Sequence, residues 1–405
     1  MTIHVIGAGV AGLAAALDLA EAGHSVQLHE SAPQAGGRAR ALPDGTDNGT
    51  HALVGANTAA LGFLRRIGAR QGWVEPEPEG LPVLDLADGS ARRLALSPLG
   101  WGNKALRPAG ASLGAVLAMA RMALPGRDIP IAEAMAKHPE FHRGFVDPLV
   151  IATLNTPSVE ASSARLGQVL RRLGGPGATR LYVAEQGLGP DMVQPALGAI
   201  GRAGGRIRYG ARLRRITQAG GRATALDFGE DAVALGRDDR VVLATPPWES
   251  QRLLTHLDVP SAHAPIVNLH FERRGEGPVR FIGMLAALCQ WVLVRPSGVS
   301  VTVSAGDAEA GQGVEELAPR AWSEILRAAA AFRIPGEWPL MTPPCRVVKE
   351  RRATPRHLPG EVLRPARKPL ANLALAGDWS WPHLPATIDA AVRSGQAAAR
   401  ALARG

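Results

Sequence analysis

The feature that most constrains the fold is a glycine-rich turn near the N-terminus. Residues 7–12 read GAGVAG, follow the short apolar run 3–6 and precede an Ala/Leu-rich segment that ends at Gly23. A strand, a G-x-G-x-x-G turn and a helix in this order are typical of a dinucleotide-binding βαβ unit. The first glycine permits a tight turn, the second lets the backbone approach a pyrophosphate, and the third lets the helix pack closely. The sequence therefore predicts a dinucleotide site that includes Gly7, Gly9, Ala11 and Gly12.

An acidic residue stands where such a site needs one. Residues 25–29 are predicted to form the second strand, and Glu30 follows it directly. A carboxylate at this position accepts hydrogen bonds from ribose hydroxyls and disfavours a 2′-phosphate. Glu30 is therefore predicted to bind the adenosine ribose, and NADP is not expected at this site.

A second motif separates a flavoprotein from a nicotinamide enzyme. Gly36 and Gly37 are followed by Arg38, a few residues after Glu30. A plain NAD dehydrogenase does not need an arginine here, whereas a guanidinium can neutralise a pyrophosphate or contact a flavin. Gly37 and Arg38 are therefore predicted to bind the cofactor.

Composition bounds the protein class and its compartment. The chain has 405 residues, which suggests two to three domain-sized units, and no segment reaches the ~18 apolar residues of a spanning helix. The N-terminus lacks the basic start of a signal peptide. Two cysteines, Cys289 and Cys345, provide neither a disulfide framework nor a metal site. A cytoplasmic protein without metal is predicted.

The net charge of +9 admits several partners. The excess of arginine can result from codon bias in a GC-rich genome, or it can serve to attract an anionic membrane. In the second case we expect a cytoplasmic protein that lies peripherally on the inner face of the cell membrane. Nucleic acid is not expected, because aromatic residues make up only 4% and do not interleave with basic runs. The apolar runs 108–120 and 281–294 predict buried core, the wall of a lipid-sized tunnel or an interfacial helix.

The organisation predicted is two discontinuous, interleaved domains. The C-terminal region resembles the N-terminal βαβ unit, since it has a strand at 373–376, Gly377-Asp378 and an Ala-rich helix. Strands at 206–216 and 240–244 are predicted to belong to the same domain. The fold class predicted is α/β, with a Rossmann-like FAD-binding domain and an α+β substrate domain. The predicted FAD-binding segments are 1–75, 190–248 and 346–405, and the substrate-binding segments are 76–189 and 249–345.

With these motifs the chain resembles the FAD-dependent amine oxidase and phytoene desaturase superfamily. Residues 242–247 (VLATPP) look like its inner strand and turn, and residues 375–379 (LAGDW) look like its second flavin motif. The resemblance implies FAD as cofactor. It also implies cofactor contacts at Gly377 and Asp378, and at the start of the last helix, at Ala386, Thr387 and Ile388.

Within that superfamily the chain resembles the hydroxysqualene dehydroxylases, also called squalene-associated FAD-dependent desaturases. The similarity rests on residues 47–51 (DNGTH), 154–157 (LNTP), 266–270 (IVNLH), 290–291 (QW) and 384–388 (LPATI). Residues 349–355 resemble the branch's segment but have Arg351 in place of a lysine and Pro355 in place of an aromatic residue. The resemblance implies reduction of a C30 allylic alcohol to squalene for hopanoid synthesis.

That chemistry needs an acid, a hydride and a dry channel. Hydroxide is a poor leaving group, so a proton donor is required, and water must be kept from the resulting cation. Glu350 and His51 are the predicted catalytic residues, although Glu350 could instead form a salt bridge with Arg351 or Arg352. Asp47 is a further candidate acid, or else a structural residue or a cofactor contact. Predicted substrate contacts are Asn155, Asn268, Trp291 and Trp379.

Two other enzyme readings remain at the level of sequence. A carotenoid-type desaturase would run hydride transfer in the opposite direction, and a flavin amine oxidase could cage an ammonium ion between Trp379 and Trp381. Lys349 could serve an amine oxidase near the flavin or simply lie in solvent. The electron donor is not identified, because no second nicotinamide fingerprint is present.

Overall fold

The computed structural model describes residues 1–361 and 364–403. The strands in the described residues are β1 (Thr2–Ile6), β2 (Ser25–His29), β3 (Ala52–Val54), β4 (Trp73–Val74), β5 (Leu81–Asp85), β6 (Ala91–Leu94), β7 (Leu181–Ala184), β8 (Arg206–Arg208), β9 (Arg215–Ala219), β10 (Arg222–Asp227), β11 (Ala232–Ala234), β12 (Arg240–Leu243), β13 (His263–Phe271), β14 (Arg280–Leu285), β15 (Trp291–Arg295), β16 (Gly298–Ser304), β17 (Cys345–Pro355) and β18 (Leu373–Leu375). The helices are α1 (Val10–Glu21), α2 (Thr58–Arg66), α3 (Leu113–Arg121), α4 (Ile131–Ala134), α5 (Pro139–Phe141), α6 (Asp147–Leu154), α7 (Ser163–Leu173), α8 (Gln194–Arg202), α9 (Pro247–Leu253), α10 (Val314–Ala331) and α11 (Ile388–Ala403).

A five-stranded parallel sheet carries the N-terminal motif. Its order is β18-β12-β1-β2-β8, and every neighbouring pair is parallel. The central strands are short apolar runs buried on both faces, as expected for a parallel sheet covered by helices. The predicted α/β fold class is confirmed by this sheet and its helices.

Close helix packing holds the glycine-rich turn against this sheet. Helix α1 is rich in alanine and leucine, and ten of its twelve residues are buried. It packs on α11, where a Cβ at Gly395 would lie 2.1 Å from the carbonyl oxygen of Ala11. Only a glycine permits this approach, so the last helix fixes the position of the first.

A seven-stranded mixed sheet forms the second large layer. Its order is β17-β13-β16-β15-β14-β5-β6, and α10 packs on one face through Trp322 and Ile325. The inward side chains are mostly Val, Leu and Ile, which suits strands with buried faces. This sheet lends several strands to the cavity described below.

Two sequence expectations are corrected by the strand pairing. Strand β17 pairs with β13 over nearly its whole length, so it belongs to the seven-stranded sheet, although it falls almost entirely in the predicted FAD-binding segment 346–405. A boundary after Pro355 agrees with the pairing. The strand predicted at 206–216 is two strands, because β8 joins the parallel sheet and β9 pairs with β10. The turn at Gly210, with a positive φ, separates them.

A helical layer between residues 98 and 173 covers one side of the cavity. Its core gathers Trp101, Phe141 and Phe145, whose rings contact one another. A π-helical turn, His142–Val146, precedes α6 in this layer. In the part of the chain that the structure describes, no helix has the length and apolar character needed to cross a membrane.

Candidate active site

One large cavity collects the residues that the sequence singled out. Its volume is about 1580 Å³, larger than the ~300–1,000 Å³ of ordinary small-molecule sites. Ile6 and His29, the last residues of β1 and β2, line it together with Gly377 just beyond β18. The carboxyl ends of parallel strands are where α/β sheets bind their ligands. Nearly all of the residues predicted to bind cofactor or substrate line this cavity; Gly12 lies outside the lining, as do three further candidates described below.

The glycine-rich turn has one open position and two closed ones. A Cβ at Gly7 would lie 2.6 Å from the carbonyl oxygen of Ala244, and a Cβ at Gly12 would lie 1.9 Å from the carbonyl oxygen of Gly7. A Cβ at Gly9 would meet no atom within 4 Å, and Gly9 lines the cavity. Gly7 and Gly12 are thus needed for packing, whereas Gly9 keeps space free for a ligand.

Glu30 lies at the cavity lining, directly beside the glycine-rich turn. Its Oε2 accepts a hydrogen bond from the backbone N–H of Ala8 at 2.8 Å, and its Oε1 accepts one from Ala32 at 2.8 Å. The side chain is buried apart from its contact with the cavity. Glu30 therefore fixes the turn and presents a carboxylate at the position predicted for ribose binding.

Arg38 and Asp378 form an ion pair at the cavity. Nη2 of Arg38 lies 2.7 Å from both carboxylate oxygens of Asp378, and Nη1 donates a hydrogen bond to the carbonyl of Ala353. Burial alone would lower the pKa of Arg38, but Asp378, with a smaller contribution from Glu350, raises it on balance. The Arg38 side chain keeps 42% of its surface accessible although it lies inside the protein, because it borders the cavity.

Two helix N-termini face the same space. Helix α1 begins after Gly9 without a side-chain cap, so its first N–H groups have no side-chain partner. Helix α11 begins at Ile388, where Thr387 Oγ1 accepts a hydrogen bond from Ala390 N–H at 3.2 Å. Ala386, Thr387 and Ile388 all line the cavity. Helix N-termini bind phosphate and other negative charge, so these residues together with Arg38 fit FAD.

The rest of the cavity is mostly apolar. It extends over side chains of the seven-stranded sheet and the helical layer. These are Leu81, Val83, Leu94, Leu96, Val116, Met119, Phe145, Leu149, Val169, Leu170, Leu173, Phe281, Met284, Leu285 and Trp291. The apolar run 281–294 contributes a β-hairpin to this wall rather than a helix. A single space therefore joins the dinucleotide-binding turn to a lipid-sized apolar chamber.

Glu350 supplies a carboxyl group to the cavity lining. It lies on β17 opposite Ile266, which also lines the cavity, and Thr354 follows four residues later on the same strand face. Among the described residues, Glu350 has no hydrogen-bond or ion-pair partner, and the salt bridge to Arg351 or Arg352 expected from sequence adjacency does not form. Arg352 instead lies over the ring of Trp248 at 5.0 Å.

His51 is also at the cavity, but it is suited to accept a hydrogen bond. Its Nδ1 lies 2.9 Å from the carbonyl oxygen of Gly49. A carbonyl only accepts, so Nδ1 carries the proton, and the neutral ring keeps an acceptor lone pair on Nε2. Burial lowers the pKa of His51, against smaller opposing contributions from the Gly49 hydrogen bond and Asp47. At neutral pH His51 is therefore a hydrogen-bond acceptor rather than an acid.

The two asparagines predicted to contact substrate are largely engaged with protein. Asn155 has a left-handed backbone, donates to Thr354 Oγ1 at 3.0 Å and accepts from Ala305 N–H at 2.6 Å. Asn268 accepts from Thr302 Oγ1 at 2.9 Å and packs against Gly49. Both still border the cavity, and both hold together the segments that form its wall.

The two tryptophans predicted to contact substrate both line the cavity. Trp291 stacks on Phe281 with ring centroids 5.4 Å apart, which gives a flat apolar surface. Trp379 is buried and donates its indole N–H to the carbonyl of Thr245 at 3.1 Å. Trp291 thus belongs to the apolar chamber, and Trp379 to the cofactor end beside Gly377.

Three further sequence candidates lie outside the cavity lining. Asp47 is paired with Arg295 at 3.1 Å and accepts a hydrogen bond from the N–H of Leu188. Lys349 donates to the carbonyl of Gln312. Trp381 packs against His383 and Arg367. Trp379 and Trp381 therefore do not form an aromatic cage within this cavity.

Sequence reasoning missed the helix that follows the 245–247 turn. Trp248 and Glu249, both on α9, line the cavity, as do Arg212 and Leu213 in the segment between β8 and β9. A tryptophan directly after a Thr-Pro-Pro turn is the signal that could have indicated this wall. The helical layer contributes Arg143 as well, which pairs with the buried Asp85 at 2.6 Å.

Comparison with known proteins agrees with this geometry. The sequence model of the family described as flavin containing amine oxidoreductase matches residues 10–279 and 299–403. A hydroxysqualene dehydroxylase from Rhodopseudomonas palustris is 38% identical over 98% of this chain and 97% of its own length. The match thus spans both the parallel sheet and the seven-stranded sheet.

Two other relatives share less with the chain. Cyclohexylamine oxidase from Brevibacterium oxydans has the same fold, with a TM-score of 0.73 over 100% of this chain and 98% of its own, at 15% identity. A zeta-carotene desaturase from Synechocystis is 35% identical over only 18% of this chain and 15% of its own length. The first similarity shows the fold alone, and the second is confined to a short segment.

Proposed function

Because this chain belongs to the family of flavin-containing amine oxidoreductases, we propose that it is an FAD-dependent hydroxysqualene dehydroxylase. It removes the hydroxyl group of hydroxysqualene reductively and releases squalene. The observation that carries this assignment is the single cavity in which a dinucleotide-binding turn opens into an apolar chamber. The substrate is a C30 isoprenoid alcohol, whose long hydrocarbon chain matches that chamber.

The reaction replaces a C–O bond by a C–H bond. The hydroxyl group takes up one proton and leaves as water, and the allylic carbon receives a hydride. Reduced FAD supplies the hydride when bound and is thereby oxidised by two electrons. The protein has three tasks: to bind the oily chain, to exclude bulk water and to place a proton on the leaving oxygen.

Glu350 is the group that we assign to proton donation. Its carboxyl group borders the cavity and makes no hydrogen bond or salt bridge to the described residues, so it is available to a hydroxyl group bound there. A carboxyl group within hydrogen-bond reach of the hydroxyl oxygen would make water the leaving group. The β17–β13 pairing holds this side chain on a rigid strand rather than on a loop.

His51 has a positioning role in this proposal. Its free Nε2 accepts a hydrogen bond from the substrate O–H, which would turn a lone pair of the oxygen toward the acid. The loop that carries His51 is tied to β13 through Asn268 and Gly49. A histidine that accepts here does not compete with Glu350 for the role of acid.

Exclusion of water follows from the apolar lining. A carbocation next to bulk water would be recaptured as alcohol, so the hydride must reach it in a dry space. Phe281, Trp291 and Met284 line the chamber with carbon and sulfur atoms. Their π-electrons and polarisable sulfur also stabilise nearby positive charge.

The amine oxidase alternative is less well supported by the site. The residues that it would need, Lys349 and the pair Trp379 and Trp381, are not brought together at the cavity. A desaturase would use the same apolar chamber but would need no acid for a leaving hydroxyl. The whole-length similarity is to a hydroxysqualene dehydroxylase, which favours the reductive reaction.

The test is a single turnover without an electron-transfer partner. The purified flavoprotein is reduced with dithionite under anaerobic conditions and mixed with hydroxysqualene in detergent. We expect flavin reoxidation in step with the formation of one squalene per flavin, measured by absorbance and mass spectrometry. No squalene with hydroxysqualene, together with reduction of the oxidised flavin by ζ-carotene or an amine, would overturn the proposal.

A further inference from the structure

The surface around α3 exposes large apolar side chains that the site does not use. Leu99, Leu113, Leu117 and Leu124 are 87%, 76%, 55% and 65% exposed, respectively, and none of them lines the cavity. We name these four residues the α3 leucines. Three of them lie on α3 or just after it, and Leu99 lies on the 3-10 turn Pro98–Gly102, whose Trp101 shares a buried cluster with Ala115 and Met119 of α3. Soluble surfaces rarely expose several large apolar side chains in one region.

Helix α3 separates this surface from the cavity. Val116, Met119, Ala120 and Ala123 line the cavity, and the last of these follows the helix end by two residues. Leu113 and Leu117 are one helical turn apart and stand on another side of the same helix. A wall one helix thick therefore divides the α3 leucines from the apolar chamber.

The segment that carries the α3 leucines is rich in basic residues. Residues 89–127 contain six arginine and lysine residues and no aspartate or glutamate. Four of the six, Lys104, Arg107, Arg121 and Arg127, are exposed. Exposed leucines bordered by basic side chains match the composition of segments that lie in the interface of an anionic bilayer.

We propose that the α3 surface docks this protein on an anionic lipid bilayer. The α3 leucines enter the boundary between headgroups and acyl chains, and the four basic residues contact lipid phosphates. The apolar chamber then lies one helix away from the layer in which a long hydrocarbon dissolves. That last step rests on the proposed function, whereas the docking itself does not.

A bilayer fits this surface better than a protein partner. Within residues 89–127 every charged residue is basic, and the exposed Glu140 beside Gly110 is an acidic neighbour from outside that segment. This excess of positive charge suits a lipid surface, which requires no matched register of opposite charges. The leucines also lie on a short helix and a neighbouring turn, so they can enter a fluid layer without a complementary pocket.

Vesicle flotation tests the docking with the flavin-loaded enzyme. We expect binding to vesicles that contain phosphatidylglycerol, weaker binding to phosphatidylcholine alone, and loss of binding at high salt. The double variant Leu113→Ser/Leu117→Ser should bind at least about tenfold more weakly. The matched control Leu340→Ser/Met341→Ser alters two residues that are 90% and 84% exposed elsewhere, and it should bind as the wild type does.

Charge variants distinguish electrostatic attraction to anionic lipid from non-specific hydrophobic adsorption. Arg121→Gln/Arg127→Gln should weaken binding to phosphatidylglycerol vesicles, while Arg202→Gln/Arg237→Gln, with the same loss of charge on other exposed sites, should not. Wild-type enzyme that stays with the unbound fraction, or an equal loss in the variant and control pairs, would overturn the proposal. Capture of a protein partner by the α3 leucines without vesicle binding would overturn it as well.

A turnover measurement distinguishes this failure from failure of the proposed function. The Leu113→Ser/Leu117→Ser variant should convert hydroxysqualene in detergent at the wild-type rate and convert substrate dissolved in vesicles at least about tenfold more slowly. Vesicle binding without any squalene formation would contradict the proposed function alone. Equal rates of the variant and the wild type on vesicle-held substrate would contradict delivery through the α3 surface.

Discussion

Arg38 and Asp378 are joined across the cavity although 340 positions separate them in sequence. Nη2 of Arg38 lies 2.7 Å from both carboxylate oxygens, and Asp378 Oδ1 also accepts the backbone N–H of Trp379 at 3.0 Å. The carboxylate thus connects the arginine motif near the N-terminus with the turn after β18. Because the Arg38 guanidinium borders the cavity, Asp378 orients a positively charged group that FAD would contact.

Replacement of Asp378 tests that role. Asp378→Ala removes the acceptor that orients Arg38, so we expect the dissociation constant of FAD to rise about tenfold or more. The measurement is flavin release followed by fluorescence. Asp18→Ala is a matched control, because Asp18 is paired with Arg66 at 2.6 Å away from the cavity lining. Unchanged FAD affinity in Asp378→Ala would contradict the assignment of Arg38 and Asp378 to the cofactor site.

Two variants of the glycine-rich turn distinguish an effect on stability from an effect on FAD binding. Gly9→Val adds side-chain atoms where the structure has open space, so the protein should fold and retain little or no FAD. Gly12→Ala places a Cβ 1.9 Å from the carbonyl oxygen of Gly7, so it should lower the free energy of unfolding by about 3 kcal/mol. Flavin content per folded protein and urea denaturation give both values. Normal flavin content in folded Gly9→Val would contradict the assignment.

Glu350 can be tested without disturbing the cofactor. Glu350→Gln keeps the size of the side chain but removes the acidic proton, and we expect turnover to fall by ~10² or more. FAD content should change little, because Glu350 makes no hydrogen bond or salt bridge to a described residue and contributes less than Asp378 to the electrostatics of Arg38. Glu315→Gln, on the exposed start of α10, is the control. Turnover near the wild-type level would exclude Glu350 as the acid.

Local patterns account for the part of the site that was predicted from sequence. The glycine-rich turn, Glu30 and Gly377-Asp378 each follow directly from a strand, so their positions at the carboxyl edge of one sheet need only the chain order. Arg38 is equally local, since it lies a few residues beyond β2. The parallel sheet and its dinucleotide site could therefore be predicted before any tertiary contact was known.

The remainder depends on contacts between distant segments, which no local pattern encodes. Strand β17 carries four consecutive charged residues, 349–352, so its own sequence does not show which of them faces the cavity. Its pairing with β13 places Glu350 opposite Ile266, which lines the cavity. Asn155 lies in an apolar segment and was predicted to contact substrate, but it is bound to Thr354 and Ala305, 150 or more residues away. The run 108–120 was predicted as core, tunnel wall or interfacial helix. The structure places Ala115 in a buried core and Val116 and Ala120 at the cavity wall, and it leaves Leu113 and Leu117 exposed.

His357 should make stability depend on acid pH. It is buried beneath the loop before α11, where its Nε2 accepts the N–H of Ala386 at 3.4 Å and its backbone N–H donates to Thr156. Burial, aided by the charge of Arg165, lowers the pKa of His357 to about 3 from 6.5. Above pH 6.5 neither the folded nor the unfolded state holds this proton. As the pH falls toward 3, only the unfolded state takes it up, so the folded state loses stability.

The expected slope is about 1.4 kcal/mol per pH unit for this one proton. Urea denaturation of wild type and His357→Gln, measured from about pH 6.5 down to about pH 4, gives the comparison, with the exposed His256→Gln as control. In His357→Gln the free energy of unfolding should depend less steeply on pH, by about the amount that one proton contributes. Some dependence should remain, because burial also lowers the pKa values of His29 and His270 to about 4. An identical slope in His357→Gln and wild type would show that this imidazole is not held neutral by its burial.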